Sequence, residues 1–143
     1  PRKFSDTFLA VDVLLQALAY LIYEVKARAG VERPSTIVPG RTTTLPVPEH
    51  SSWPAGHAFT AGALAVLFAT LHKNPDCQRL WCAAKLIGAN RVSAGLHTNL
   101  DIEAGLELGA MAMTELLNAA ASSTVPALQT LGDLVGFAKA NDW

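Results

Sequence analysis

The residues of this chain best equipped for chemistry fall into three short stretches. The first, K-A-R-A-G-V-E-R-P, sets Lys26 six intervening residues ahead of Arg33 and Pro34. Lysine offers a compact point charge, and arginine a planar fork that matches two oxygens of one oxyanion. Alone, the pair also fits a basic helix terminus steadied by the helix dipole. The second is Pro54-Ala55-Gly56-His57, inside S-S-W-P-A-G-H-A-F. Proline closes a loop, glycine leaves the backbone bare, and a helix begins at once. Its unpaired N–H groups and positive dipole end suit an anion. A histidine in that first turn can exchange protons with the anion, or it can simply start a helix. The third, N-R-V-S-A-G-L-H-T-N-L-D, carries Arg91, His97 and Asp101. His97 and Asp101 are four apart at an expected helix start, so their side chains can meet on one face. A carboxylate holding one imidazole nitrogen fixes the tautomer and frees the other as nucleophile or ligand. The plain alternative is a structural His–Asp contact beside an unrelated surface arginine.

In order and spacing, K-x6-R-P, P-x-G-H and R-x5-H-x3-D resemble the three-part signature of the type-2 phosphatidic acid phosphatases. Bacterial class A acid phosphatases and vanadium haloperoxidases share that signature. The match runs from Lys26 to Asp101, about half of the chain. The resemblance implies that Lys26, Arg33, Arg91 and the Gly56 amide bind the oxygens of a phosphate or vanadate. In a phosphatase, His97 would attack phosphorus, Asp101 would orient it, and His57 would protonate the leaving alcohol and then activate water. In a haloperoxidase, His97 would coordinate vanadium and His57 would be the acid–base group. The expected function is a metal-independent phosphomonoesterase working through a phosphohistidine on a small-molecule phosphate ester. Asp101 beside His97 suits a nucleophile that needs orientation, and the chain is much shorter than the haloperoxidases it resembles. A vanadate-dependent haloperoxidase is the second reading, and a non-catalytic anion-binding or scaffold protein the third. No cofactor is expected for the phosphatase, and vanadate for the haloperoxidase. Two positions depart from the signature: Ala55 stands where the family has serine, and Asn90 precedes Arg91. Losing the serine hydroxyl would cost an oxyanion about 1.5–3 kcal/mol.

These residues must be held by helices. Phe8, Leu9, Val11, Leu14, Leu15, Leu18, Leu21, Ile22 and Val25 form a broad helical stripe, with Ser5 and Asp6 as caps and Gly30 and Pro34 at its end. From Pro34 to Gly56, five prolines punctuate a Thr- and Ser-rich stretch that reads as a non-helical, functional loop. Further helices are expected from Gly56 to His72, stopped by Asn74 and Pro75, and from Asp76 to Ala94. Two more follow, from Asn99 to Ala121 and from Pro126 toward Lys139. Gly105 and Gly109, four apart, suit a close helix–helix approach. The expected fold is therefore all-α: a compact bundle of about five helices around a long Pro-rich active-site loop, one domain over residues 1–143. His50, Arg41 and Trp53 read as loop residues, either facing the pocket or solvated, and Trp53 also as an aromatic anchor. His72 reads as a helix-end residue; Trp81, Trp143 and the methionines read as packing or terminal residues.

Composition supports this. Half of the 143 residues are hydrophobic and 16% are charged, enough for a core. A net charge of −1 with no basic or acidic block argues against nucleic acid and leaves a small molecule as ligand. No apolar run reaches the ~20 residues of a membrane span: Val13–Tyr23 is bounded by Asp12 and Glu24, so the chain reads as soluble. Cys77 and Cys82 read as free, buried thiols rather than metal ligands or a disulfide. Starting with Pro1 rather than Met, the chain reads as processed, trimmed or a fragment, with no signal-peptide pattern.

Overall fold

The computed structural model describes residues 5–72 and 75–141. Asn74 and Trp143 lie outside them. The chain is all-helical, with no strand among the described residues. Its helices are α1 (Ser5–Ala29), α2 (Pro34–Ile37), α3 (Gly56–Leu71), α4 (Cys77–Ser93), α5 (Asn99–Ser122) and α6 (Pro126–Asn141). The expected ends hold to within a few residues. The exception is α2, a single turn inside the supposedly non-helical loop. Pro34 starts it, because the first helical position needs no N–H and prefers the fixed φ of proline.

Helix α3 lies at the centre because it is apolar nearly all round. On one side Phe59, Ala63, Leu67 and Leu71 pack with Leu14, Leu18 and Ile22 of α1, Met113 of α5 and Leu131 of α6. On the other, Ala58, Ala61 and Ala65 pack with Ala84 of α4 and with Ile102 and Leu106 of α5. The small residues on this second side let α3 and α5 approach backbone to backbone. A Cβ at Gly105 would stand 2.6 Å from the Ala55 carbonyl oxygen, and one at Gly109 would overlap that of Phe59.

Two expectations need correction. Cys77 and Cys82 are free but exposed, because both fall on the outer surface of α4. The second concerns α1. Within Asp6–Ile37 an 18-residue window averages a hydropathy of 1.7, and only 22% of that window is buried. By length and composition alone it is apolar enough to cross a membrane; judging it by an unbroken apolar run bounded by Asp12 and Glu24 understated it. Phe8, Leu9, Tyr20 and Tyr23 lie exposed on α1.

Candidate functional site

The buried stripe of α1 runs through Leu14, Leu18 and Ile22 at four-residue steps. One step further, in the last turn, stands Lys26, only 2% exposed. The stripe that builds the core therefore also delivers an ammonium to its edge. Lys26 Nζ donates to the carbonyls of Ser51 (2.7 Å) and Ser52 (3.3 Å), tying α1 to the loop before α3. Backbone bonds close the same seam: the Ser52 N–H donates to the Val31 carbonyl at 2.8 Å, and the Ala55 N–H to the Asp101 carbonyl at 2.9 Å. The three stretches singled out in the sequence thus meet through main-chain contacts before any side chain is considered.

Arg33, the residue before the single turn of α2, points inward and is 5% exposed. Its Nη1 donates to the Leu96 carbonyl at 3.0 Å and lies 3.1 Å from His97 Nε2. Its Nη2 donates to the His50 carbonyl at 3.3 Å and lies 3.2 Å from His50 Nδ1. His97 follows Gly95, whose positive φ of 76° turns the chain sharply after α4. It precedes Thr98, the N-cap of α5. His97 is therefore not on the helix, and helical spacing is not what brings it to Asp101. Asp101 is the third residue of α5, and its Oδ2 folds back over the helix start to accept the Thr98 N–H at 2.8 Å. That places Oδ2 3.5 Å from His97 Nδ1. This capping box makes one carboxylate serve both the helix and the histidine.

Lys26, Arg33, Gly56, His57, Arg91 and His97 all line one cavity of about 480 Å³. No carboxylate lines it among the described residues. Asp101 stands behind His97 and instead faces a groove with Trp53 and Leu100. Ala19, Ile22, Ala61, Leu64 and Ile87 supply an apolar wall. Ala55 is fully buried among Ala58, Ile102 and Leu106 and does not line the cavity. Arg41 is exposed in the loop and away from the cavity.

Burial dominates the electrostatics, with the excess of positive charge adding to it. Burial, followed by the neighbouring Arg33, lowers the Lys26 pKa to about 8, although Asp101 works against this. Burial also lowers Arg33, opposed by Asp101 and helped by Arg91. His57 is lowered by burial and then by Arg91, His97 and Lys26. His97 is lowered by burial, partly countered by its hydrogen bond to Asp101. For Asp101, burial pushes upward, but hydrogen bonds from His97, Thr98 and Ser52 outweigh it and hold the carboxyl at about 2. The Nε atoms of Arg33 and Arg91 are buried without any hydrogen-bond partner. Unpaired buried donors on cations cost free energy that an anion in the cavity would recover.

Sequence reasoning passed over two residues that touch this site. Ser52, 1% exposed, donates from Oγ to Asp101 Oδ2 at 2.8 Å and lies 3.4 Å from His97 Nδ1. The only signal for it was a position two residues before Pro54. Tyr23 lines the mouth, edge-on to His50 with ring centroids 5.6 Å apart. In the sequence it stood only as the end of the apolar run Val13–Tyr23, off the helical stripe.

Three cations and three histidines line one cavity of this helical fold, an arrangement whose chemistry suits an oxyanion. The chain belongs to the PAP2 superfamily, whose family model matches residues 9–123. Members of this superfamily are generally phosphatases, which puts the chain with the phosphoester hydrolases at a coarse level. No curated protein matches the chain.

Proposed function

We propose that the protein is a metal-independent phosphomonoesterase that works through a phosphohistidine on His97. The observation that carries this reading is the convergence of Lys26, Arg33, Arg91, His57 and His97 on one carboxylate-free cavity, with two buried guanidinium N–H groups lacking acceptors. A phosphate ester supplies the missing acceptors. Burial is the main reason that His57 is depressed and it persists in the complex, but the negative charge of the ester offsets the further lowering by Arg91, His97 and Lys26 and favours the protonated imidazole.

The reaction then proceeds in two steps. His97 Nε2 gives its lone pair to phosphorus while the bond from phosphorus to the ester oxygen breaks. His57, protonated in the complex, gives its proton to the leaving alkoxide. Asp101 balances the positive charge that the phosphorylated ring carries at Nδ1. In the second step neutral His57 takes a proton from water, and the resulting hydroxide attacks phosphorus. The nitrogen–phosphorus bond breaks, its electrons return to Nε2, and inorganic phosphate leaves. Charge stabilisation by Lys26, Arg33 and Arg91 supplies most of the rate gain.

The test is hydrolysis of p-nitrophenyl phosphate in EDTA, from acidic to neutral pH, followed by titration with orthovanadate. EDTA-resistant turnover blocked by vanadate supports the reading. No hydrolysis, but peroxide-dependent bromination with added vanadate, replaces it with the haloperoxidase. Neither activity nor vanadate binding leaves a non-catalytic protein.

A further inference from the structure

We propose that Ser52 is a positioning residue: its hydroxyl, shared between Asp101 and His97, acts with Arg33 to fix which nitrogen of His97 carries the proton. The inference rests on the reading of His97 Nε2 as the nucleophile. The direct contact between Asp101 and His97 is weak by itself. Their 3.5 Å separation is well beyond the 2.7–2.9 Å usual for a charge-assisted hydrogen bond. Ser52 adds a second contact of similar length at the same nitrogen, with Oγ 3.4 Å from His97 Nδ1, and is itself anchored 2.8 Å from Asp101 Oδ2.

A hydroxyl has one proton to give and lone pairs to accept with. An ionised carboxylate only accepts, so the Ser52 proton goes to Oδ2. Toward His97 the same oxygen can then only accept, and Nδ1 must carry hydrogen. From the opposite side Arg33 Nη1, which can only donate, lies 3.1 Å from Nε2 and requires a lone pair there. Both constraints select the tautomer in which Nε2 carries the lone pair needed for attack, which a phosphate drawing Arg33 to its oxygens would release. When Nε2 forms a bond to phosphorus, the ring becomes a cation, and its Nδ1–H already faces two acceptors.

The backbone of Ser52 is fixed as firmly as its side chain. Its carbonyl accepts from Lys26 Nζ at 3.3 Å, and its N–H donates to the Val31 carbonyl at 2.8 Å. Ser52 is 1% exposed, so its hydroxyl is held away from bulk solvent. One serine thus joins the lysine of the first stretch to the histidine and aspartate of the third.

The test is nitrogen-15 NMR of the His97 imidazole in the full chain, compared with Ser52→Ala and with Ser52→Cys. Cysteine keeps the shape and offers only a weak hydrogen-bonding group. The wild type is expected to hold neutral His97 with hydrogen on Nδ1, and both variants to show a mixture of tautomers. With p-nitrophenyl phosphate, kcat is expected to fall about 10- to 100-fold, the usual effect of losing a partner that orients a functional histidine, with KM changed less than about twofold. Folded variants with the wild-type tautomer and wild-type kcat would overturn the proposal. So would wild-type protein with its His97 proton on Nε2, and that needs no variant. The tautomer is read without substrate, so a protein inactive on phosphate esters would defeat the proposed reaction and leave this test standing.

Discussion

Lys26 is the residue whose chemistry the fold alters most measurably, because the stripe that buries it also sets it beside Arg33. With its pKa lowered to about 8, it is charged below that pH and loses its charge as the pH rises through it. The kcat/KM profile reports the free enzyme. It should therefore fall on the alkaline side near pH 8, and Lys26→Met should flatten that limb while lowering the plateau. An unchanged limb in the variant would remove Lys26 from the cradle. The same depression makes protonated Lys26 a cost to stability of about 3 kcal/mol, relieved as pH rises from about 8 toward its ordinary 10.5. At His57 the prediction concerns the leaving group. His57→Ala should spare the first step for p-nitrophenyl phosphate, whose leaving group needs little protonation, and slow it about a hundredfold or more for alkyl phosphates. A pre-steady-state burst measures that step; equal loss on both substrates would contradict the general-acid role. The sequence motifs showed which side chains could act here, but not how His97 is held. Ser52 stands in no regular pattern with Asp101, and their 2.8 Å contact exists only once the loop has folded over the start of α5.

At the scale of elements, the α3–α5 contact holds the site together, because Ala55–Gly56–His57 and Thr98–Asp101 sit at the adjoining ends of these two helices. Gly109→Ala places a methyl against the Phe59 carbonyl, backbone that cannot rotate away, and should cost about 1–3 kcal/mol. Gly105→Ala meets the Ala55 carbonyl and the Ala58 methyl at the very turn that carries Gly56 and His57. It should therefore lower kcat as well as thermal stability, whereas Gly109→Ala should lower mainly stability. Melting curves with parallel assays separate the two; the same kcat loss in both would contradict the distinction. Most of the helices were legible because apolar spacing, caps and prolines all agree. The turn at Pro34–Ile37 was not, since a four-residue helix has no period to read and a proline-dotted stretch looks uniformly irregular. The His97–Asp101 pairing was expected for the wrong reason, as it comes from a capping box rather than a helix face.

For the molecule as a whole, the site imposes a pH dependence on folding. Asp101, held at about 2, contributes stability that is present above its ordinary value of 3.8 and is lost as pH falls through about 2, an effect of about 2 kcal/mol. His97 and His57, both depressed, lose stability earlier, as the pH drops below about 6.5 and the unfolded chain takes up protons first. Urea unfolding across acid pH should show both stages, and Asp101→Asn should erase the lower one while deepening the upper, because His97 loses the carboxylate that partly counters its depression. A variant with the wild-type acid profile would place the depressed carboxyl elsewhere. The exposed apolar residues of α1 were visible as residues but not as a surface, because a broad stripe does not reveal which part of it the remaining helices leave uncovered. The central claim is that phosphorus is transferred to His97. The most direct measurement is mass spectrometry of protein quenched during turnover of p-nitrophenyl phosphate, with His57→Ala to slow the second step. The account predicts a phosphoryl group on His97, more abundant in His57→Ala and absent from His97→Ala, which should lose more than about a thousandfold in kcat. Turnover with no phosphorylated His97, or with undiminished activity in His97→Ala, would contradict it.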